Sequence, residues 1–81
     1  MKIVYAPTFK KKLIHLPQST REKFYKQAGY LLYDLQHPSL HAKKYDEAND
    51  IWQARVNGGA RFYFTIEGNT YYLLDIKKHP Q

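Results

Sequence analysis

The sequence predicts an α+β domain in which two N-terminal helices pack on a small antiparallel β-meander, in the order β-α-α-β-β-β. Two segments before Pro38 carry apolar residues at helical spacing, and proline closes each of them. Between Ile51 and Ile76, three runs rich in aromatic and β-branched residues are separated by Asn57-Gly58-Gly59 and Glu67-Gly68-Asn69. At 81 residues the chain has room for one core, so residues 1–81 read as a single domain.

Lys2 to Tyr5 is a short β-favouring run closed by Ala6-Pro7. Thr8 is the expected N-cap of the first helix, which carries Phe9, Leu13 and Leu16 and stops at Pro17. Ser19 followed by Glu22 fits a capping box and puts the start of the second helix near Thr20. Phe24, Ala28, Leu31, Leu32 and Leu35 form its expected core stripe. Gly29 costs that helix about 1 kcal/mol relative to alanine, which points to a close crossing with the first helix. His37-Pro38 ends it, because proline disfavours helical geometry in the residue before it. A three-stranded meander cannot bury its own face, so the helices must cover it, with the first strand added at a sheet edge.

Composition narrows the chemistry. Thirteen Lys and Arg against seven Asp and Glu give a net charge of +6, which favours a polyanionic partner. Eight Tyr and four Phe suit base stacking and a small β-rich core equally. The absence of cysteine removes disulfides, thiol catalysis and Cys-type zinc sites. No apolar run approaches the roughly 20 residues that span a bilayer, and Met1 to Tyr5 does not look like a signal peptide. The expected location is therefore the cytoplasm. No nucleophilic triad, glycine-rich phosphate loop or carboxylate pair stands out, and no metal or other cofactor is expected.

Strand alternation sorts the side chains. Phe62, Phe64 and Ile66 oppose Arg61, Tyr63 and Thr65 on one strand; Trp52, Ala54 and Val56 oppose Ile51, Gln53 and Arg55 on the strand before it. If the helices cover the Phe62 side, then Arg55, Arg61 and Tyr63 share the open face. Two guanidinium groups and a phenol there make a cradle for phosphate.

The segments His37-Pro-Ser-Leu-His-Ala-Lys-Lys-Tyr45, Ile51-Trp-Gln-Ala-Arg-Val56, Arg61-Phe-Tyr-Phe64 and Lys77-Lys-His-Pro80 together resemble the RelE/ParE superfamily, the small toxins of bacterial type II toxin–antitoxin pairs. The resemblance spans nearly the whole chain and is strongest from His37 onward. Its RelE branch implies a metal-independent endoribonuclease that cuts mRNA in the ribosomal decoding site and is neutralised by a cognate antitoxin protein. By position, Arg55 and Arg61 would hold and neutralise the scissile phosphate. His79 would be the acid or base, since histidine titrates near neutral pH. Lys43 and Lys44, in the loop before the sheet, and Tyr63, Lys77 and Lys78 would contact RNA.

Two residues depart from the family pattern. Gln53 stands where the RelE branch carries a lysine, and Asp75 lies near a position that is cationic in other branches. The alternatives are a ParE-like inhibitor that binds DNA gyrase and a degenerate member that keeps only antitoxin binding. His15, His37 and His41 read as surface or capping residues.

Overall fold

In the computed structural model, which describes residues 1–78, the chain runs β1 (Lys2–Tyr5), α1 (Pro7–Ile14), α2 (Gln18–Tyr33), a 3-10 turn (Pro38–Leu40), β2 (Lys43–Asp46), β3 (Ile51–Asn57), β4 (Ala60–Glu67) and β5 (Thr70–Lys78). The sheet order is β1-β5-β4-β3-β2. β1 lies parallel to β5 at one edge, as expected of a strand added to a meander, and the remaining pairs are antiparallel. β2 is an addition to the expected order. Lys43 and Lys44 lie in this short edge strand, paired with Gln53 and Trp52, rather than in a loop. No helix among the described residues is long and apolar enough to cross a membrane.

Proline, not a hydroxyl cap, sets both helix starts. α1 begins at Pro7, whose fixed φ suits the first turn and whose missing N–H is no loss there. Thr8 is therefore inside the helix. α2 begins at Gln18 directly after Pro17 with no side-chain cap, so Ser19 and Glu22 form no capping box. Arg21 ties the two helices together by donating to the carbonyls of Leu16 and Ile14 at 2.9 and 3.3 Å. His37 caps the 3-10 turn, accepting from the Ser39 N–H at 3.1 Å while its ring stacks on Tyr30.

α1 packs against β5 and α2 against β3, which closes the core over one sheet face. Phe9, Phe24, Phe62 and Phe64 are fully buried and form a chain of ring contacts, with centroids 5.2, 5.4 and 5.7 Å apart. Phe24 meets Phe62 edge-on, the favourable sense for two aromatic quadrupoles. The stripe on α2 is Phe24, Gln27, Ala28 and Leu31. Leu32 is exposed, because it falls outside the arc that faces β3. Gly29 is exposed too, and a Cβ there would meet nothing within 4 Å, so no close crossing demands glycine.

Gln27 is the polar member of that stripe and is only 1% exposed. Its amide donates to the carbonyls of Ser39 and Arg55 at 2.9 and 2.7 Å and accepts from the Ser39 hydroxyl at 2.7 Å. One side chain thus joins α2, the 3-10 turn and β3. A buried amide is tolerated only when its hydrogen bonds are made, and here its oxygen and its nitrogen both have partners.

Two stability changes follow. Gly29→Ala raises unfolding free energy by about 0.5–1 kcal/mol in urea denaturation, since the helix gains propensity and meets no clash. Gln27→Leu lowers it by about 2–4 kcal/mol, because buried carbonyls at Ser39 and Arg55 lose their donor.

Candidate nucleic-acid interface

The open sheet face is built by register. Arg55 on β3 lies opposite Arg61 on β4, and Arg61 lies opposite Lys77 on β5. Three cations therefore stand abreast on neighbouring strands spaced about 4.8 Å apart. Like charges directly opposite one another are unfavourable. Among the described residues no carboxylate forms an ion pair with any of the three. Asp75, which could have paired with Arg61, binds Lys12 of α1 at 2.7 Å instead. A row of unneutralised cations held together by main-chain pairing is a preformed site for an anion.

Arg61 is also splinted to its own hairpin. Its Nη1 donates to the carbonyls of Asn57 and Ala60 at 2.6 and 3.0 Å. The turn is closed by Asn57, whose Oδ1 accepts from the Gly59 N–H at 2.8 Å. One edge of the guanidinium holds the turn, and among the described residues its other N–H groups make no further bond, which leaves them for a ligand. Beside this row lies an open concavity of about 400 Å³ lined by His41, Ala42, Lys43, Gln53, Arg55 and Arg61. His41 and Arg55 also line an adjoining hollow of about 210 Å³ that reaches Lys23 on α2.

Tyr63 lies next along β4 on the same face. Its ring meets Tyr45 edge-on at 4.8 Å, and the Lys77 ammonium sits 5.1 Å from its centroid. Burial, with the neighbouring Tyr45, pushes the Tyr63 phenol above its ordinary range; Arg61 pulls the other way. It therefore acts as a neutral surface and hydrogen-bonding group.

The residues expected to touch RNA divide between the two faces. Lys43, Tyr63 and Lys77 join Arg55 and Arg61 on the open face. Lys44 points to the opposite face, with its ammonium 5.3 Å from the Trp52 ring centroid and bound to Asp50 and Glu47. The hydrogen bond to Asp50 is the chief reason its pKa is raised. Lys78 lies opposite Ala60 and lines a hollow shared with Pro17 and Thr20 on the helix side. His79 lies outside the described residues. Among the described residues no group of His, Asp or Glu side chains is placed to hold a metal ion.

Known structures share this architecture. A YoeB/ParE toxin from Agrobacterium tumefaciens superposes with a TM-score of 0.82 at 13% identity, over 99% of this chain and 100% of that one. The archaeal RelE-RelB complex from Pyrococcus horikoshii gives 0.79 at 18% identity, over 95% and 92%. The YoeB-YefM complex from Staphylococcus aureus gives 0.79 at 13% identity, over 96% and 95%. The chain has the RelE/YoeB/ParE toxin fold. No protein-family model matches it, and no curated protein sequence does.

Within this RelE-type fold, two residues of the face were not legible as site residues. His41 reads as a surface histidine, yet it adopts φ 47° and ψ 42° after the 3-10 turn and lines both basic hollows. Left-handed backbone is uncommon outside glycine, although histidine is enriched there, and no local sequence signal announces it. Tyr45 shares the side of Lys43 in β2, a strand that the expected element order lacked.

A site made of like charges weakens the fold that carries it. Arg55→Thr is expected to raise unfolding free energy by about 0.2–1 kcal/mol at low salt, with the gain shrinking at high salt. The same variant should elute from heparin at lower salt than the parent. Urea midpoints at two ionic strengths and one heparin gradient check both halves.

Proposed function

We propose that this protein is the toxin of a type II toxin–antitoxin pair and acts as a ribosome-dependent mRNA endoribonuclease in the cytoplasm. The observation that carries the reading is the row Arg55–Arg61–Lys77, which no carboxylate among the described residues neutralises and which is flanked by the His41 and Lys43 concavity, on a RelE-type fold. Such a row fits a polyanion, and its place on a concave sheet face fits a single strand better than a duplex.

Cleavage of RNA without metal requires three acts. The 2′-hydroxyl loses its proton and attacks phosphorus, the phosphorane charge is neutralised, and the departing 5′ oxygen gains a proton. The products are a 2′,3′-cyclic phosphate and a 5′-hydroxyl. Arg61 and Arg55 supply the neutralisation, since a guanidinium can meet two phosphate oxygens at once. Two imidazoles supply the proton transfers in this reading: His41, which lines the concavity, and His79, which the family resemblance assigns. Gln53 lines the same concavity and can only donate or accept a hydrogen bond, so the chemistry passes to the histidines. Lys43, Tyr63 and Lys77 hold the strand, while Lys44 and Lys78 add charge from outside the face.

The proposed restraint on this activity is an acidic antitoxin segment, which a chain of net charge +6 attracts. In the Pyrococcus horikoshii and Staphylococcus aureus structures the toxin is in complex with its partner, RelB or YefM.

The experiment is controlled expression with primer extension on a translated message, at matched soluble protein. Wild type should arrest growth and cut messages in phase with codons. Arg61→Ala should lose about a hundred- to a thousandfold in cleavage rate, the usual loss of one oxyanion-stabilising donor. Arg61→Lys should lose activity as well, because an ammonium cannot make the two-point contact. The pH–rate profile should be bell-shaped, with His41→Ala and His79→Ala each losing about a hundred- to ten-thousandfold and one limb of the bell. Supercoiling defects with intact messages would replace this reading by gyrase inhibition. Full toxicity in Arg61→Ala would place the site elsewhere.

A further inference from the structure

Two β-bulges flank Tyr63, one on each side. In β2, Lys44 pairs with Trp52 and Asp46 with Ile51, which leaves Tyr45 as the extra residue. In β5, Asp75 pairs with Tyr63 and Leu73 with Phe64, which leaves Leu74 as the extra residue. Bulges re-aim side chains and concentrate beside functional sites. Both extra residues turn onto the open face. With Ile51, Tyr63, Asp75 and Lys77 they line a hollow of about 170 Å³.

The floor and one wall of the hollow differ in exposure. Tyr63 is only 9% exposed and forms the floor, whereas Tyr45 is 58% exposed and offers its ring to solvent. Neither extra residue belongs to the buried hydrophobic cluster, which lies on the other face. Along β4 the step from Arg61 to Tyr63 is two residues, about 6.8 Å. An aromatic hollow that close to a phosphate-sized row of cations matches the spacing of a nucleotide, not of an isolated anion.

We propose that the hollow between the two bulges is a nucleobase subsite, in which Tyr45 stacks on a base whose strand is anchored at Arg55 and Arg61. Tyr45 is then a binding residue for single-stranded RNA. Lys77 serves both parts, standing over the Tyr63 ring and beside the phosphate row. Leu74 closes the side opposite Tyr45. This subsite rests on the nucleic-acid reading above, and the test separates the two.

The probe is a single-stranded 2′-O-methyl RNA hexamer, which cannot be cut because its attacking hydroxyl is blocked. Binding is measured by fluorescence anisotropy for the intact hexamer and for versions with one abasic position, moved along the strand. Removing a stacked base or its aromatic partner costs about five- to a hundredfold in affinity. Wild type should show that loss at one abasic position. Tyr45→Ala should show it with the intact hexamer and lose nothing further at the same abasic position, the non-additive signature of one contact. Tyr45→Phe should bind like wild type. Because Tyr45 is exposed, thermal melts of the variants should match the parent.

Wild-type affinity in Tyr45→Ala, or losses that simply add, would overturn the subsite. If Arg61→Ala abolishes binding while Tyr45→Ala does not, the subsite falls and the nuclease reading stands. Failure of wild type to bind the hexamer at low salt would overturn the subsite, while the ribosome-dependent nuclease reading stands or falls on the primer-extension result.

Discussion

Everything on the open face depends on the register of the β3–β4 hairpin. Asn57 closes the turn through its side chain, and Arg61 clamps the same turn through the carbonyls of Asn57 and Ala60. Side-chain direction in a strand has a period of two, so a slip of one residue would exchange the faces. Arg61 would then be driven into the ring layer of Phe24 and Phe62, and Phe62 into water. The cost of burying an unpaired guanidinium is far larger than any gain from a different pairing. The core therefore enforces the site: the rings that hold the fold together are the reason the cations stand in a row.

A second constraint acts from the helix side. Gln27 fixes the carbonyl of Arg55 and the backbone and hydroxyl of Ser39 in one buried cluster. That cluster sits between the strand bearing Arg55 and the turn bearing His41. Leu40 is fully buried next to it, so the turn is anchored by packing as well as by hydrogen bonds. His41 follows directly in the left-handed conformation, exposed at the rim of both basic hollows. A polar residue inside the core thus fixes the distance between a candidate phosphate ligand and a candidate proton carrier.

The face also explains why this chain keeps features that do not favour stability. Three aligned cations oppose folding through repulsion, and the β2–β3, β3–β4 and β4–β5 pairings each carry one register shift. These costs are borne by the aromatic core and by the long β4–β5 pairing. Such local conflicts with folding rules are expected where a protein meets its ligand.

Much of this was legible in the residues. Proline positions, helical spacing and the two glycine-containing turns were enough for the helices, the meander and the edge position of β1. Period-two alternation was enough to put Arg55, Arg61 and Tyr63 together, because a sheet covered on one side has a single way to hide Phe62 and Phe64. Alternation failed where an extra residue changes its phase. In β5 it would set Tyr71, Leu73 and Lys77 on one face, yet the bulge at Leu74 turns Ile76 into the core and Lys77 onto the open side. In β2, alternation itself puts Lys43 and Tyr45 on the open face and Lys44 on the other, but only once this strand is known to form. Gln27 and His41 were likewise hidden, since a buried amide is recognisable only by partners 12 and 28 residues away, and a left-handed histidine only by the turn that precedes it. Sequence determined which residues alternate and where the chain must turn. Tertiary structure alone decided that β2 forms and where the alternation changes phase in β5, because an edge pairing and a bulge are settled by what the neighbouring strand and the core will accept.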